Sequence, residues 1–317
     1  MRILRALPQS ATPMPSAAKC PLLIAFEVET SRKGGGPAGG APDGRPGSSS
    51  RPPPRQACIF KVGDDCRQDV LALQVIDLLQ REFKAAHLPL YLAPYGVLPT
   101  GYERGVIEVV PEAKSRAGVG ELADGGLREV WLREFGPPGS ERYERARENL
   151  IRSCAAYAVA SYLLQSKDRH NGNILLDSQG HVVHIDFGFI LGISPGGNLG
   201  FESAPFKLSY EMTQLLDPGS RRASKPWRRF CALCVRGFLA ARHSAAHVVA
   251  AVAMMETSGL PCFSRGRSVQ LLRQRFVPHL SDALAAQHML RLIEQAYDKW
   301  TTGFYDYVQY LQNGIPK

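Results

Sequence analysis

The sequence predicts an α+β protein in two parts, a small β-rich N-terminal part and a larger, mainly helical C-terminal part. Three observations carry this. Short β-prone apolar runs, with one amphipathic helix among them, make up the first part. Long helical patterns take over after Glu141 and are interrupted by one compact strand pair. The chain's 317 residues are enough for two modest lobes with a real core.

Taken in order, residues 21–28 are apolar and read as a strand that needs a partner. Residues 31–55 are rich in Gly, Pro, Ser and Arg, so they bury too little apolar surface to offset ordering and read as a linker or insert. No strand enters their glycines and no helix leaves them, which argues against a phosphate-cradling loop. A second strand is expected at 57–62, followed by a turn at Gly63 and a helix from about Gln68, along which Leu71, Val75, Leu78, Leu79 and Phe83 form one stripe. Two more strands are expected at 88–93 and 106–110, separated by the turn-rich 94–101. Residues 142–165 predict a long helix with Ala146, Leu150, Cys154, Tyr157, Ser161 and Leu164 on its apolar face. A loop at 166–172 leads to strands at 174–176 and 182–185 around the turn Asp177 to Gly180, with further helices at 227–239, 248–255 and 285–300. No internal repeat is present in the sequence.

Composition narrows the function classes. Hydrophobic residues at 44%, charged residues at 21%, a mean hydropathy of −0.16 and the lack of an 18-residue apolar run argue against a membrane-spanning helix. The opening apolar run breaks too soon for a secretory signal. Thirty-eight basic against 29 acidic residues give a formal charge of +9, which calls for an anionic partner: nucleic acid, an acidic membrane leaflet or a phosphorylated substrate. Cys231-x-x-Cys234 has no second ligand pair and is expected to be core packing, so the seven cysteines suit a reduced, cytosolic compartment.

The chemistry concentrates in Asp168-Arg-His-Asn-Gly-Asn173, a hairpin, then Asp186-Phe-Gly188. Phosphoryl transfer needs carboxylate and amide oxygens to hold Mg²⁺ on a triphosphate, plus a group beside the attacking hydroxyl. In the kinase catalytic loop an asparagine follows the catalytic aspartate by five positions, as Asn173 follows Asp168, and Asp186 matches the later Asp-Phe-Gly metal ligand. Lys61, charged within a strand, suits the nucleotide phosphates. The fold expected is therefore bilobal and protein-kinase-like, with the N-lobe over 1–110 and the C-lobe over 111–317. Two features depart from a protein kinase: no glycine-rich loop precedes Lys61, and the catalytic loop reads Asp-Arg-His.

These departures, with the stretches 16–21, 59–69, 94–101, 105–110, 168–173, 184–189 and 194–202, resemble the phosphoinositide 3-/4-kinase superfamily, closest to the plant-type alpha branch of its type III 4-kinases. The resemblance implies an ATP-dependent lipid kinase using Mg²⁺, or Mn²⁺, that converts phosphatidylinositol to its 4-phosphate. It further implies that Ser16 and Lys19 belong to the phosphate-binding loop, that Lys61 contacts the phosphates, and that Asp69 orients Lys61. Glu108 to Val110 become the adenine hinge with Tyr95 lining the pocket, and Asn173 and Asp186 the metal ligands. For the base, His170 has the better unperturbed pKa and Asp168 the position, and the expectation is His170 as base oriented by Asp168.

The loop at 190–207, including Gly197 and Asn198, should meet the head group, and its single cation, Lys207, suits unphosphorylated phosphatidylinositol. The arginine clusters at 221–229 and at Arg265, Arg267, Arg273 and Arg275, with the aromatic segment 300–311, suit an acidic membrane surface. The expected location is the cytosolic face of membranes, most of all the plasma membrane, with a protein scaffold bound through a helical region absent from this chain and with no nucleic-acid partner. The rivals are a phosphoinositide 3-kinase, a kinase acting on protein, and a silent membrane- or partner-binding fragment.

Overall fold

The computed structural model describes residues 2–14, 20–29, 54–120, 126–195, 204–219 and 221–297. The chain divides into two compact units, one drawn from Met1–Cys66 and Tyr95–Pro111, the other from Arg67–Pro94 and Glu112–Lys317.

The smaller unit is an antiparallel sheet of β1 (Arg2–Pro13), β2 (Leu22–Glu29), β3 (Arg55–Val62), β4 (Val97–Gly101) and β5 (Arg104–Glu108), in the order β1-β2-β3-β5-β4. The partner that β2 requires is twofold, since β1 pairs along one side and β3 along the other. Strand β1 is unanticipated by the sequence because its side chains are almost all exposed and carry no alternation. It is held by main-chain pairing and by the Arg5–Glu27 ion pair at 2.9 Å. Strand β4 replaces the expected turn at 94–101; it lies at the sheet edge, where Pro99 need not donate to a ladder. Lys61 on β3 pairs with Gly105 on β5, and a Cβ there would stand 2.9 Å from the Cys66 sulfur, so the close approach requires glycine.

In the larger unit, α1 (Arg67–Ala85) buries Leu71, Val75, Leu79 and Phe83, as its period demands. The segment at 88–93, expected to be a strand, is extended but joins no sheet. Leu88, Leu90 and Leu92 are buried alternately, while the Tyr91 and Ala93 N–H groups donate to the Arg152 carbonyl and the Tyr157 hydroxyl. An extended chain laid against a helix shows the same alternation as a strand. Next come β6 (Ala113–Ser115), α2 (Arg116–Gly120), α3 (Gly126–Phe135) and the long α4 (Glu141–Leu164). Helix α4 starts where Ser140 accepts the Tyr143 N–H and stops at Gln165, whose φ of 48° is left-handed. From Ser153 to Leu164 nearly every side chain is buried, which makes α4 the axis of the core.

After α4 come β7 (Ile174–Asp177) and β8 (Val182–His184), the expected hairpin, which with β6 forms a three-stranded sheet in the order β6-β7-β8. The remainder is α5 (Tyr210–Leu216), α6 (Lys225–His243), α7 (Ala245–Ala253), α8 (Ser268–Arg275) and α9 (Asp282–Ala296). On α6, Cys234 is buried and Cys231 half-buried, and burial pushes the Cys231 thiol up to about 12, so the pair is inert packing. No helix among the described residues is long and apolar enough to cross a membrane.

Candidate active site

In the larger unit, the loop at 166–172 leaves α4 with the Lys167 N–H donating to the Phe189 carbonyl at 2.9 Å, which lays it beside the Asp-Phe-Gly segment. Asp168 and Asp186 have φ values of 63° and 60°, left-handed conformations that a non-glycine residue adopts only when its surroundings impose them. Arg169 supplies that constraint. Its guanidinium is buried and donates to the Lys167 carbonyl at 2.9 Å, the Ile185 carbonyl at 2.6 Å and the Asp186 carbonyl, and it stacks over the Phe187 ring at 5.2 Å. The rigid fork thereby joins the two loops that carry the carboxylates. Sequence reading assigns Arg169 no role, because its partners are main-chain carbonyls that leave no mark on residue type.

The other motif residues are fixed by their neighbours. Asn173 donates its side-chain N–H to the Asp168 carbonyl at 3.0 Å, so the amide oxygen is the atom it could offer a cation, and the Asn173 carbonyl accepts the Ile185 N–H at 3.1 Å. Asp186 accepts the Gly188 N–H at 3.3 Å. Asp186 and Asn173 together could offer one carboxylate and one amide oxygen, hard donors of the kind Mg²⁺ takes when phosphates complete its shell. No group of three or more His, Cys, Asp or Glu that could hold a metal occurs among the described residues.

His170 accepts the Gly172 N–H on Nδ1 at 3.0 Å, and its Nε2 lies 3.9 Å from an Asp168 carboxylate oxygen. In the neutral ring the bonded Nδ1 carries the lone pair, so Nε2 carries the proton. Behind them His184 stacks on Tyr157 at 4.5 Å and is held well below the ordinary imidazole pKa by burial, with Arg169 and Lys207 acting in the same direction. Lys207 itself is buried. Asp69, near the start of α1, is also buried and accepts the Phe187 N–H at 2.7 Å, so it braces the Asp-Phe-Gly segment.

In the smaller unit, Lys61 is paired with Asp64 at 2.9 Å. The Glu108 carboxylate accepts the Gly96 N–H at 2.8 Å, next to the half-buried Tyr95. The Val109 N–H donates to the Ala57 carbonyl and its carbonyl accepts from Gln56, whereas the Val110 main chain has no hydrogen-bond partner among the described residues. Ser16, Lys19, Gly197, Asn198 and the segment 300–311 lie outside the described residues.

The basic clusters divide into exposed and engaged residues. Arg221, Lys225 and Arg228 are exposed, as are Arg265, Arg267 and Arg273. Arg275 is not a surface cation: it is buried, donates to the Leu163 carbonyl at 2.6 Å and is pushed down to about 10 by burial. Arg222 lies over the Tyr297 ring at 4.3 Å, and Arg229 pairs with Glu148 at 3.2 Å.

A β-rich part, a helical part and the loop pair of Asp168, Asn173 and Asp186 define a kinase-like fold. The family model described as phosphatidylinositol 3- and 4-kinase matches residues 55–122 and 124–265. Phosphatidylinositol 4-kinase alpha 1 of Arabidopsis thaliana is 57% identical over 308 residues, covering 97% of this chain and 14% of that protein. Phosphatidylinositol 4-kinase alpha 2 of the same plant is 53% identical over 308 residues, covering 97% and 54% respectively. Phosphatidylinositol 4-kinase stt4 of Schizosaccharomyces pombe is 48% identical over 261 residues, covering 82% and 14%. The chain belongs to the phosphatidylinositol 3- and 4-kinase family. It spans only part of these relatives, about half of the second and far less of the others.

Proposed function

We propose that this chain is the catalytic part of a 1-phosphatidylinositol 4-kinase, transferring the γ-phosphoryl group of ATP to the 4-hydroxyl of phosphatidylinositol. The observation that carries the proposal is the Arg169 clamp, which draws Asp168, Asn173 and Asp186 onto two joined loops. The names of the relatives favour the 4-hydroxyl over the 3-hydroxyl.

In this reading Asn173 and Asp186 hold Mg²⁺, which when bound neutralises charge on the phosphates. Lys61, with Ser16 and Lys19, binds the nucleotide phosphates; Val110 receives adenine. Asp168 accepts the proton of the inositol hydroxyl as that oxygen bonds to the γ-phosphorus and the bond to ADP breaks. His170 turns its Nε2–H toward Asp168 and the reacting oxygens, because the Gly172 N–H occupies its other nitrogen. That reverses the roles expected from unperturbed pKa values alone.

Phosphatidylinositol is read as the substrate because the loop at 190–207 carries one lysine and no arginine, too little charge for a polyphosphorylated head group. The exposed cations Arg221, Lys225 and Arg228 are placed by this reading against an acidic cytosolic leaflet. A scaffold protein would engage the part of the relatives that this chain does not span. The test is a kinase assay on the purified chain with phosphatidylinositol vesicles and analysis of the product isomer.

A further inference from the structure

Two buried polar side chains lie side by side at the start of α1, Gln68 and Asp69. Asp69 braces Phe187 as described, but nothing in the motif accounts for Gln68. Its side-chain nitrogen donates to the Gly188 carbonyl, and its side-chain oxygen accepts the Cys262 N–H at 2.7 Å. These partners dictate the amide's orientation, since a carbonyl can face only the nitrogen and an N–H only the oxygen.

Gly188 stands two residues after Asp186 and donates its own N–H to the Asp186 carboxylate. Cys262 lies in a single 3₁₀ turn, Pro261–Phe263, and its carbonyl accepts the hydroxyl of Ser268, the first residue of α8, at 2.5 Å. A buried chain of hydrogen bonds therefore runs from the metal-ligand segment through α1 to the head of α8.

We propose that Gln68 is a positioning residue for Asp186: by clamping the Gly188 carbonyl to the Cys262 turn, it holds the carboxylate where it receives the cation. The proposal rests on reading Asp186 as a metal ligand. If Gln68 only satisfied two buried main-chain groups, its loss would lower stability and leave the metal requirement alone.

The experiment uses the full chain and the variants Gln68→Met, Gln68→Glu and Ser268→Ala, with two readouts: amide hydrogen exchange at 186–190 and 260–264, and rate against Mg²⁺ concentration. In Gln68→Met the Cys262 amide loses protection and exchange at 186–190 rises with it. Half-saturating Mg²⁺ rises severalfold and kcat falls by about tenfold, while KM for phosphatidylinositol stays within about twofold. Gln68→Glu, though isosteric, turns a carboxylate toward the Gly188 carbonyl and performs no better than Gln68→Met. Ser268→Ala gives a smaller rise in exchange at 186–190 and serves if the Gln68 variants do not fold. Unchanged exchange at 186–190 after the Cys262 amide opens would overturn the proposal, as would an unchanged Mg²⁺ requirement in an active enzyme. A parent chain without kinase activity would defeat the proposed function instead, and the exchange measurement would still decide the clamp.

Discussion

His170 directs Nδ1 to the backbone N–H of Gly172, 3.0 Å away, and so presents Nε2 to Asp168 at 3.9 Å. An imidazole bonded in this way is a donor at its outer face, which is why the proposed mechanism takes the Asp168 carboxylate as the proton acceptor. Asp168→Asn should lower kcat by about 10²–10⁴-fold with little change in KM for ATP. His170→Gln, which keeps a donor at the end of the side chain, should retain far more activity, and His170→Ala should lower kcat much more than it raises KM for ATP. Steady-state kinetics of the three variants checks this; a His170→Gln variant as crippled as Asp168→Asn would make the imidazole the base.

Arg169 donates to carbonyls on both sides of the site, and no other side chain has its fork geometry. Arg169→Lys should leave buried carbonyls unpaired at a cost of about 1–3 kcal/mol each, seen as a lower urea midpoint. It should also release the left-handed backbone of Asp168 and Asp186, so activity at a temperature where the variant is folded should fall as well. A variant that loses stability while keeping full turnover would limit Arg169 to a structural role.

Asp177 closes the β7–β8 turn by accepting the Gln179 and His181 N–H groups and the His181 ring at 2.9 Å. Burial alone would raise this carboxyl, but the hydrogen bonds and the His181 ring outweigh burial and hold it below its ordinary value of 3.8. The unfolded chain thus binds the proton more readily than the folded one. The contribution is present above about pH 3.8 and is lost as pH falls through the lowered folded value. Denaturation midpoints should show Asp177→Asn less stable than the parent at pH 7, with the two converging below about pH 4. Parallel curves at all pH values would contradict the assignment.

The candidate trio is legible in the sequence because it is local: Asp168 and Asn173 share one loop, and the hairpin returns Asp186 beside them. What holds the set is not legible. Arg169 and Ser153 act on main-chain groups distant in sequence, Ser153 accepting the Val182 N–H at 2.9 Å to seat β8 on α4. Helix α3 is hidden by its glycine start and short run, although Leu127, Val130, Trp131 and Phe135 are all buried. The strand expected at 88–93 fails for the opposite reason, since its alternation is real but its partner is a helix.

Arg221, Lys225 and Arg228 are exposed around the start of α6. If this face meets an acidic leaflet, each contributes about 1 kcal/mol, so replacing all three with Ala should weaken binding to phosphatidylserine vesicles by up to roughly a hundredfold. Co-sedimentation at two salt concentrations measures it. Undiminished binding would assign these residues to solvent.

The most direct measurement is the product formed when the purified chain meets Mg²⁺, ATP and phosphatidylinositol vesicles, with the lipid deacylated and its isomers separated. The expected result is phosphatidylinositol 4-phosphate, absent with Asp186→Ala. Formation of the 3-phosphate, or equal product from the Asp186→Ala chain, would contradict the proposed reaction and the site assigned to it.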